Sequence, residues 1–160
     1  MIKLKVIALG KLKEKYLRDA VDEYVKRLSA YTKTEIVEIE PVRLPDNPAA
    51  AEIGKALDCE AEQIFKKIPD GALVAALCIE GKQYSSEEFH NVLNSRIMNG
   101  ASNLVFIIGS SYGLSDKIKS RADIKLSFSK MTFPHQLFRV MLLEQIYRSF
   151  KIGEGSKYHK

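Results

Sequence analysis

The sequence predicts an α/β fold: a single domain with a mostly parallel sheet and helices on both faces. Three observations lead there. Segments of strand periodicity and segments of helical periodicity alternate along the whole chain. Two strand candidates, "ALVAALCI" (Ala72 to Ile79) and "NLVFIIG" (Asn103 to Gly109), are continuous apolar runs, as strands covered on both faces are. At 160 residues, 46% of them hydrophobic, the chain has the length of one domain, 1–160, and the apolar content for a full core. No internal repeat, low-complexity segment or composition shift divides it.

The elements follow in order. Ile2 to Leu9 alternates as a strand, and Lys13 to Tyr31 places Leu17, Ala20, Val21, Tyr24, Val25 and Leu28 on one helical face. "TEIVEIE" (Thr34 to Glu40) has the period of two of a half-buried strand. Pro41, Pro45 and Pro48 make the next stretch an exposed loop. Ala49 to Ile68 returns to helical spacing. After the apolar run at Ala72 to Ile79, Gly81 is expected to turn the chain. A helix then begins at "SSEEF", with Ser85 and Glu88 spaced as a capping box, and Gly100 can end it. Beyond the strand at Asn103 to Gly109 come a short helix, Ser115 to Ala122, and a strand, Ile124 to Phe128. Pro134 is placed to open the last helix, which runs to about Lys151. Its apolar residues between Leu137 and Phe150 spread nearly all round, so it is buried on more than one side. Both a second copy of the chain and the rest of the same monomer can supply the second side.

Composition excludes several classes. No run approaches the roughly 20 apolar residues of a membrane span. "MIKLKVIALGK" alternates like a strand and shares only its lysines with a signal peptide, so a cytoplasmic protein is expected. Cys59 and Cys78 are not spaced as a metal pair and are read as reduced thiols. None of His90, His135 and His159 has the i, i+4 partner of a helical zinc pair, so no metal is expected. The net charge of +5 is unevenly placed. Residues 117–160 hold ten Lys and Arg against Asp123, Glu144 and Glu154, leaving that segment at +7 and the first 116 residues at −2. Gathered positive charge suits a polyanion such as nucleic acid, or is a basic surface with no ligand.

Two loops are candidates for chemistry. "GSSYGL" (Gly109 to Leu114) follows a buried strand, where open α/β sheets place ligand loops. It matches neither the Walker pattern nor G-x-G-x-x-G, so a nucleotide-phosphate site is disfavoured. "SKMTFPHQ" (Ser129 to Gln136) joins a strand to the last helix with Lys, Met, Thr, Phe and Pro in place of a glycine turn. His90 reads as a surface or rim residue, and His135 as a capping or packing residue in the first turn of its helix. "KYHK" closes the chain with a Tyr-His pair on a basic tail, able to fold over a substrate or to fray.

Taken together, "VFIIGSSYGL", "SFSKMTFPHQLFRVMLLEQIYRSFKI" and the terminal "YHK" closely resemble the ribosomal RNA large subunit methyltransferase H family. "GKLKEKY" (Gly10 to Tyr16) and "EYVKRL" (Glu23 to Leu28) extend the resemblance over essentially the whole chain. These are small SPOUT-class enzymes that methylate N3 of a pseudouridine in 23S rRNA with S-adenosyl-L-methionine, late, on the assembled ribosome. The resemblance implies a C-terminal trefoil knot, a homodimer with its active site at the interface, no metal and no membrane. It makes Phe128, Ser129, Lys130, Met131, Thr132 and Phe133 the cofactor loop, with Leu77 and Gly109 opposite. Loop backbone groups would read the adenine edge while Leu77, Met131 and Phe133 form apolar walls; plain core packing is the other reading of Met131 and Phe133. Gly109 would leave room for the ligand. An imide nitrogen must lose its proton before or during attack. The resemblance makes His159 the base, Tyr158 its orienting neighbour and Arg148 the cation that stabilises negative charge on the uracil carbonyls. Ser110 stands where a second glycine is expected in relatives, a small change with room to alter cofactor affinity. Methylation of another RNA such as tRNA, a non-catalytic ribosome-associated module and a small-molecule α/β enzyme are the competing readings.

Overall fold

The computed structural model describes residues 1–160. Strand β1 (Ile2–Leu9) leads to helix α1 (Lys15–Leu28), β2 (Thr32–Ile39) to α2 (Ala50–Phe65), and β3 (Leu73–Gln83) to α3 (Ser86–Met98). Then come β4 (Asn103–Ile108), α4 (Asp116–Arg121), β5 (Ile124–Ser127) and α5 (His135–Gly153). The five strands pair in the order β2-β1-β4-β3-β5, and every pairing is parallel. No helix is long and apolar enough to cross a membrane.

Period two explains the continuous apolar runs. Leu104, Phe106 and Ile108 of β4 face one core with Leu4, Val6 and Ala8 of β1, under α1, α3 and α5. Val105 and Ile107 face the other core with Ile7 and Leu9, under α2 and α4. A strand with a core on each side must be apolar at every position. Helix α5 lies between α1 and α3, so the same monomer covers two of its sides and buries Leu142, Leu143 and Ile146 completely. Leu137 stays 37% exposed.

Gly81 does not turn the chain. Strand β3 runs through it to Gln83, with a register shift against β5 between Leu77 and Lys82. The glycine is required by close approach: a Cβ there would lie 2.7 Å from the Lys125 carbonyl group and 2.9 Å from the Leu126 carbonyl carbon. The predicted capping box is present, with Ser85 Oγ accepting from Glu88 N–H at 3.1 Å and Glu88 accepting from Ser85 N–H at 2.7 Å. His90 is half-buried, its Nδ1 3.3 Å from Ser149 Oγ on α5, which places it at a helix–helix contact and off the open surface.

Two charged residues, Glu60 of α2 and Arg139 of α5, are buried. Arg139 of α5 is 2% exposed, and it donates to Glu38 Oε2 and to the Gly10 carbonyl, both at 2.6 Å. Nearby, Lys13 N–H donates to Gln136 Oε1 at 3.1 Å. The start of α5 is thereby tied to the β1–α1 loop.

Candidate functional site

The carboxyl ends of β3, β4 and β5 and the start of α5 enclose a cavity of about 310 Å³. Ligands in open α/β sheets bind at this edge. Strand β3 contributes Leu77 to Glu80, the β4 end contributes Ile108 to Leu114, and β5 with its loop contributes Leu126 to Ser129, Met131 and Thr132. His135 and Phe138 close it from α5.

Local chemistry shapes each wall. The turn after β4 is closed by Gly113 N–H donating to Ser110 C=O at 2.9 Å, with Gly113 at φ +90°. A Cβ on Gly109 would collide with the Gly113 carbonyl and come within 2.9 Å of Leu114 Cγ. That residue is therefore a glycine so that the chain's own turn can close, a reason different from the ligand clearance expected of it. In the β5–α5 loop, Ser129 Oγ accepts from Met131 N–H at 3.0 Å, and Ser127 Oγ donates to the Ser129 carbonyl at 3.2 Å. Phe138 anchors the loop, meeting Phe128 and Phe133 edge-on at 5.7 and 5.6 Å.

The polar groups nearly balance. Glu80 pairs with Lys119, and that hydrogen bond holds its carboxyl below the usual range. Burial pushes the His135 imidazole down and the Cys78 thiol up, so both favour their neutral forms. Both cysteines are free, and no cluster of His, Cys, Asp and Glu is arranged to hold a metal.

Six of the residues expected at the cofactor line this cavity: Leu77, Gly109, Phe128, Ser129, Met131 and Thr132. Lys130 and Phe133 do not. Lys130 is exposed, and Phe133 lines a neighbouring cavity of about 580 Å³ with Tyr24, Tyr84, Val140, Met141 and Glu144. Leu126 to Ser129 form a wall shared by both cavities. Met131 is 72% exposed at the mouth, too open for plain core packing. His135, read from sequence as a capping or packing residue, is part of the wall; its place directly after the loop was the available signal. Nothing in the pattern singled out Glu80.

The terminal "YHK" is folded back on α5. The Tyr158 ring meets Tyr147 edge-on at 5.1 Å, and its hydroxyl donates to Glu144 Oε1 at 3.1 Å. The Arg148 guanidinium lies over that ring at 4.8 Å and donates twice to Glu144 Oε1, from Nε at 3.0 Å and from Nη2 at 2.6 Å. Its Nη1 is 3.1 Å from His159 Nδ1, and His159 Nε2 is 2.7 Å from Glu87 Oε1. Burial, with help from Tyr24 and Glu144, pushes the Tyr158 hydroxyl up to about 12, so it stays protonated as a donor. The structure thus gathers Arg148, Tyr158 and His159 into one cluster. It brings none of the three to the wall of the first cavity; Glu144, which lines the second, is bonded to Arg148 and Tyr158 and joins the cluster to that neighbouring cavity.

Comparison with known proteins agrees with this architecture. Residues 2–159 match a family profile described as "Predicted SPOUT methyltransferase". The chain is 50% identical to a ribosomal RNA large subunit methyltransferase H of Streptococcus thermophilus over 99% of this chain and 100% of that one. It is 52% identical to the protein of that name from Clostridium kluyveri, over 97% and 98%. The chain belongs to the ribosomal RNA large subunit methyltransferase H family of SPOUT methyltransferases. A more distant likeness shows the fold alone: a probable methylase family protein from Haemophilus influenzae superposes with a TM-score of 0.51 at 12% identity, covering 99% of this chain and 70% of that one. Within this SPOUT family member, the cavity at the strand ends and the tail cluster are the two candidate halves of the site.

Proposed function

We propose that this protein transfers a methyl group from S-adenosyl-L-methionine to N3 of a pseudouridine in 23S rRNA, on the assembled ribosome in the cytoplasm. The observation that carries the reading is the cavity built by the GSSYGL turn and the FSKMTF loop, in a chain whose relatives are named for large-subunit rRNA methylation. The cavity fits the donor. Its volume falls at the lower end of the range for small-molecule sites. Leu77, Ile108, Leu126 and Phe138 offer apolar surface to an adenine, and the loop from Phe128 to Thr132 offers backbone donors and acceptors. The histidine in its wall is kept uncharged by burial and the lysine is paired with Glu80, so little opposes a sulfonium cation.

When bound, the donor supplies the electrophilic methyl group, and the protein's share is positioning and proton transfer. His159 accepts the imide proton from N3, which leaves the nitrogen lone pair for the methyl group. Tyr158 and its hydroxyl bond to Glu144 hold the tail against α5. Arg148 stabilises charge on the carbonyl oxygens beside N3. Tyr158 and His159 stand apart from the cavity of their own chain, which supports a homodimer in which the tail of one copy serves the cavity of the other. The exposed Leu137 near the start of α5 supports the same arrangement. We also propose that the C-terminal segment is threaded as a trefoil knot. The path from β5 at the sheet edge back to α5 between α1 and α3 supports it.

The test is transfer of a labelled methyl group to ribosomes from cells lacking this protein, beside naked 23S rRNA. Label at a pseudouridine N3 in ribosomal 23S rRNA is the expected result. Donor binding without label in either substrate would move the target to another RNA such as tRNA. Neither binding nor label would leave a non-catalytic ribosome-associated module.

A further inference from the structure

We infer that Glu87, at the start of α3, is the positioning carboxylate of His159. With Arg148 donating to the other ring nitrogen, it holds the imidazole as the Nε2–H tautomer and keeps the Nδ1 lone pair turned toward Arg148 and the incoming imide. The inference rests on the proposed role of His159 as base and names the group that makes that role workable.

The argument is one of donors and acceptors. Arginine carries only N–H donors and is always protonated. Its Nη1 lies 3.1 Å from His159 Nδ1, so Nδ1 must accept and carries no proton. The single ring proton is then on Nε2, where it is donated to Glu87 Oε1 at 2.7 Å. A carboxylate on one ring nitrogen sets the tautomer and raises the basicity of the other. The groups around the ring are Glu87 from α3, Arg148 from α5 with Glu144 behind it, and Tyr158 beside it in the tail. Glu88 is turned away, capping Ser85 N–H. Glu87 is therefore the one carboxylate bonded to the imidazole. Its side chain is 60% exposed, so the pair adds little to stability, and its effect is on orientation.

On this inference, proton transfer proceeds by one exchange at Nδ1. Arg148 keeps its Nε and Nη2 bonds to Glu144 while the Nη1 prong gives up Nδ1 to the N3–H of the substrate. The N3–H bond breaks and an Nδ1–H bond forms. The resulting imidazolium faces the Glu87 carboxylate, and the electron pair of the broken bond remains on N3 for methyl transfer. Nη1, kept in place by the anchored guanidinium plane, is then free to donate to a carbonyl oxygen beside N3, where negative charge has developed.

The experiment uses the full-length protein with Glu87→Gln, Glu87→Ala and His159→Ala. The tautomer is read from the ring nitrogen resonances of His159, and single-turnover methylation of ribosomes is followed against pH. Without Glu87 the ring is free to turn out of its Arg148 contact, so Glu87→Ala is expected to populate both tautomers and to slow the plateau rate about tenfold, a fraction of what proton transfer contributes. Glu87→Gln still accepts from Nε2–H, so it should restore the tautomer. Without the carboxylate charge, the acid limb of its profile should move to lower pH. A purely structural role would not move that limb. Wild-type tautomer, rate and pH limb in Glu87→Ala, with His159→Ala inactive, would overturn this inference and leave the proposed function standing. A wild-type rate in His159→Ala would overturn the role of His159 as base and this inference with it.

Discussion

Replacing Arg139 by alanine should destabilise the protein by about 3 kcal/mol. Breaking a buried ion pair by removing one partner costs about 3–5 kcal/mol, because the remaining charge is stranded. Here the stranded partner has relief: the Glu38 side chain is 36% exposed and still accepts Leu12 N–H at 3.2 Å, so it rehydrates and the cost falls to the lower end. The Gly10 carbonyl, which accepts from Arg139 at 2.6 Å, loses a charge-assisted bond worth about 1.5–3 kcal/mol, much of which water can replace. For a domain of this size the melting temperature should fall by about 6–12 °C, at roughly 2–4 °C per kcal/mol. The damage should also reach the cavity, since His135 and Phe138 share the first turns of α5 with Arg139. Urea and thermal unfolding measure the first effect, and calorimetric titration with S-adenosyl-L-methionine the second, with affinity expected to weaken several-fold. A double-mutant cycle with Glu38→Gln isolates the pair. A loss below about 1 kcal/mol, or strict additivity with Glu38→Gln, would show that the buried guanidinium does not lock the β1–α1 loop to α5.

Gly81→Ala forces a methyl group into the backbone of Lys125 and Leu126, which cannot swing aside as a side chain would. We expect a loss of about 2–3 kcal/mol in denaturant unfolding; a variant as stable as wild type would mean that β5 is free to move away. His135 gives a pH signature. Burial holds its folded value below the ordinary histidine value of about 6.5, so between the two values the unfolded chain binds more protons. Stability should therefore fall as pH drops through 6.5 and level off once the folded histidine is also charged. Donor affinity should fall in the same window, and His135→Asn should flatten both curves.

Much of this protein could be read along the chain. Alternating periods specified ten elements, and the observed boundaries lie within a few residues of the expected ones. The Ser85–Glu88 box and Pro134 before α5 are local signals with local causes, and they appear where their spacing puts them. The two loops that flank the cavity were legible because parallel strands place their exits on one edge, whatever the strand order. Periodicity tells which face of an element is buried and says nothing of what covers it. Strand order, the passage of β3 through Gly81 beside β5, and the turning of Phe133 from one cavity to its neighbour were decided by packing. So was the burial of Arg139, whose partners Gly10 and Glu38 are 129 and 101 residues away along the chain. The pairing of Glu87 with His159 spans 72 residues and belongs to no motif. Short-range spacing determined the elements and their faces; long-range closure, which no local pattern encodes, determined which charged groups meet.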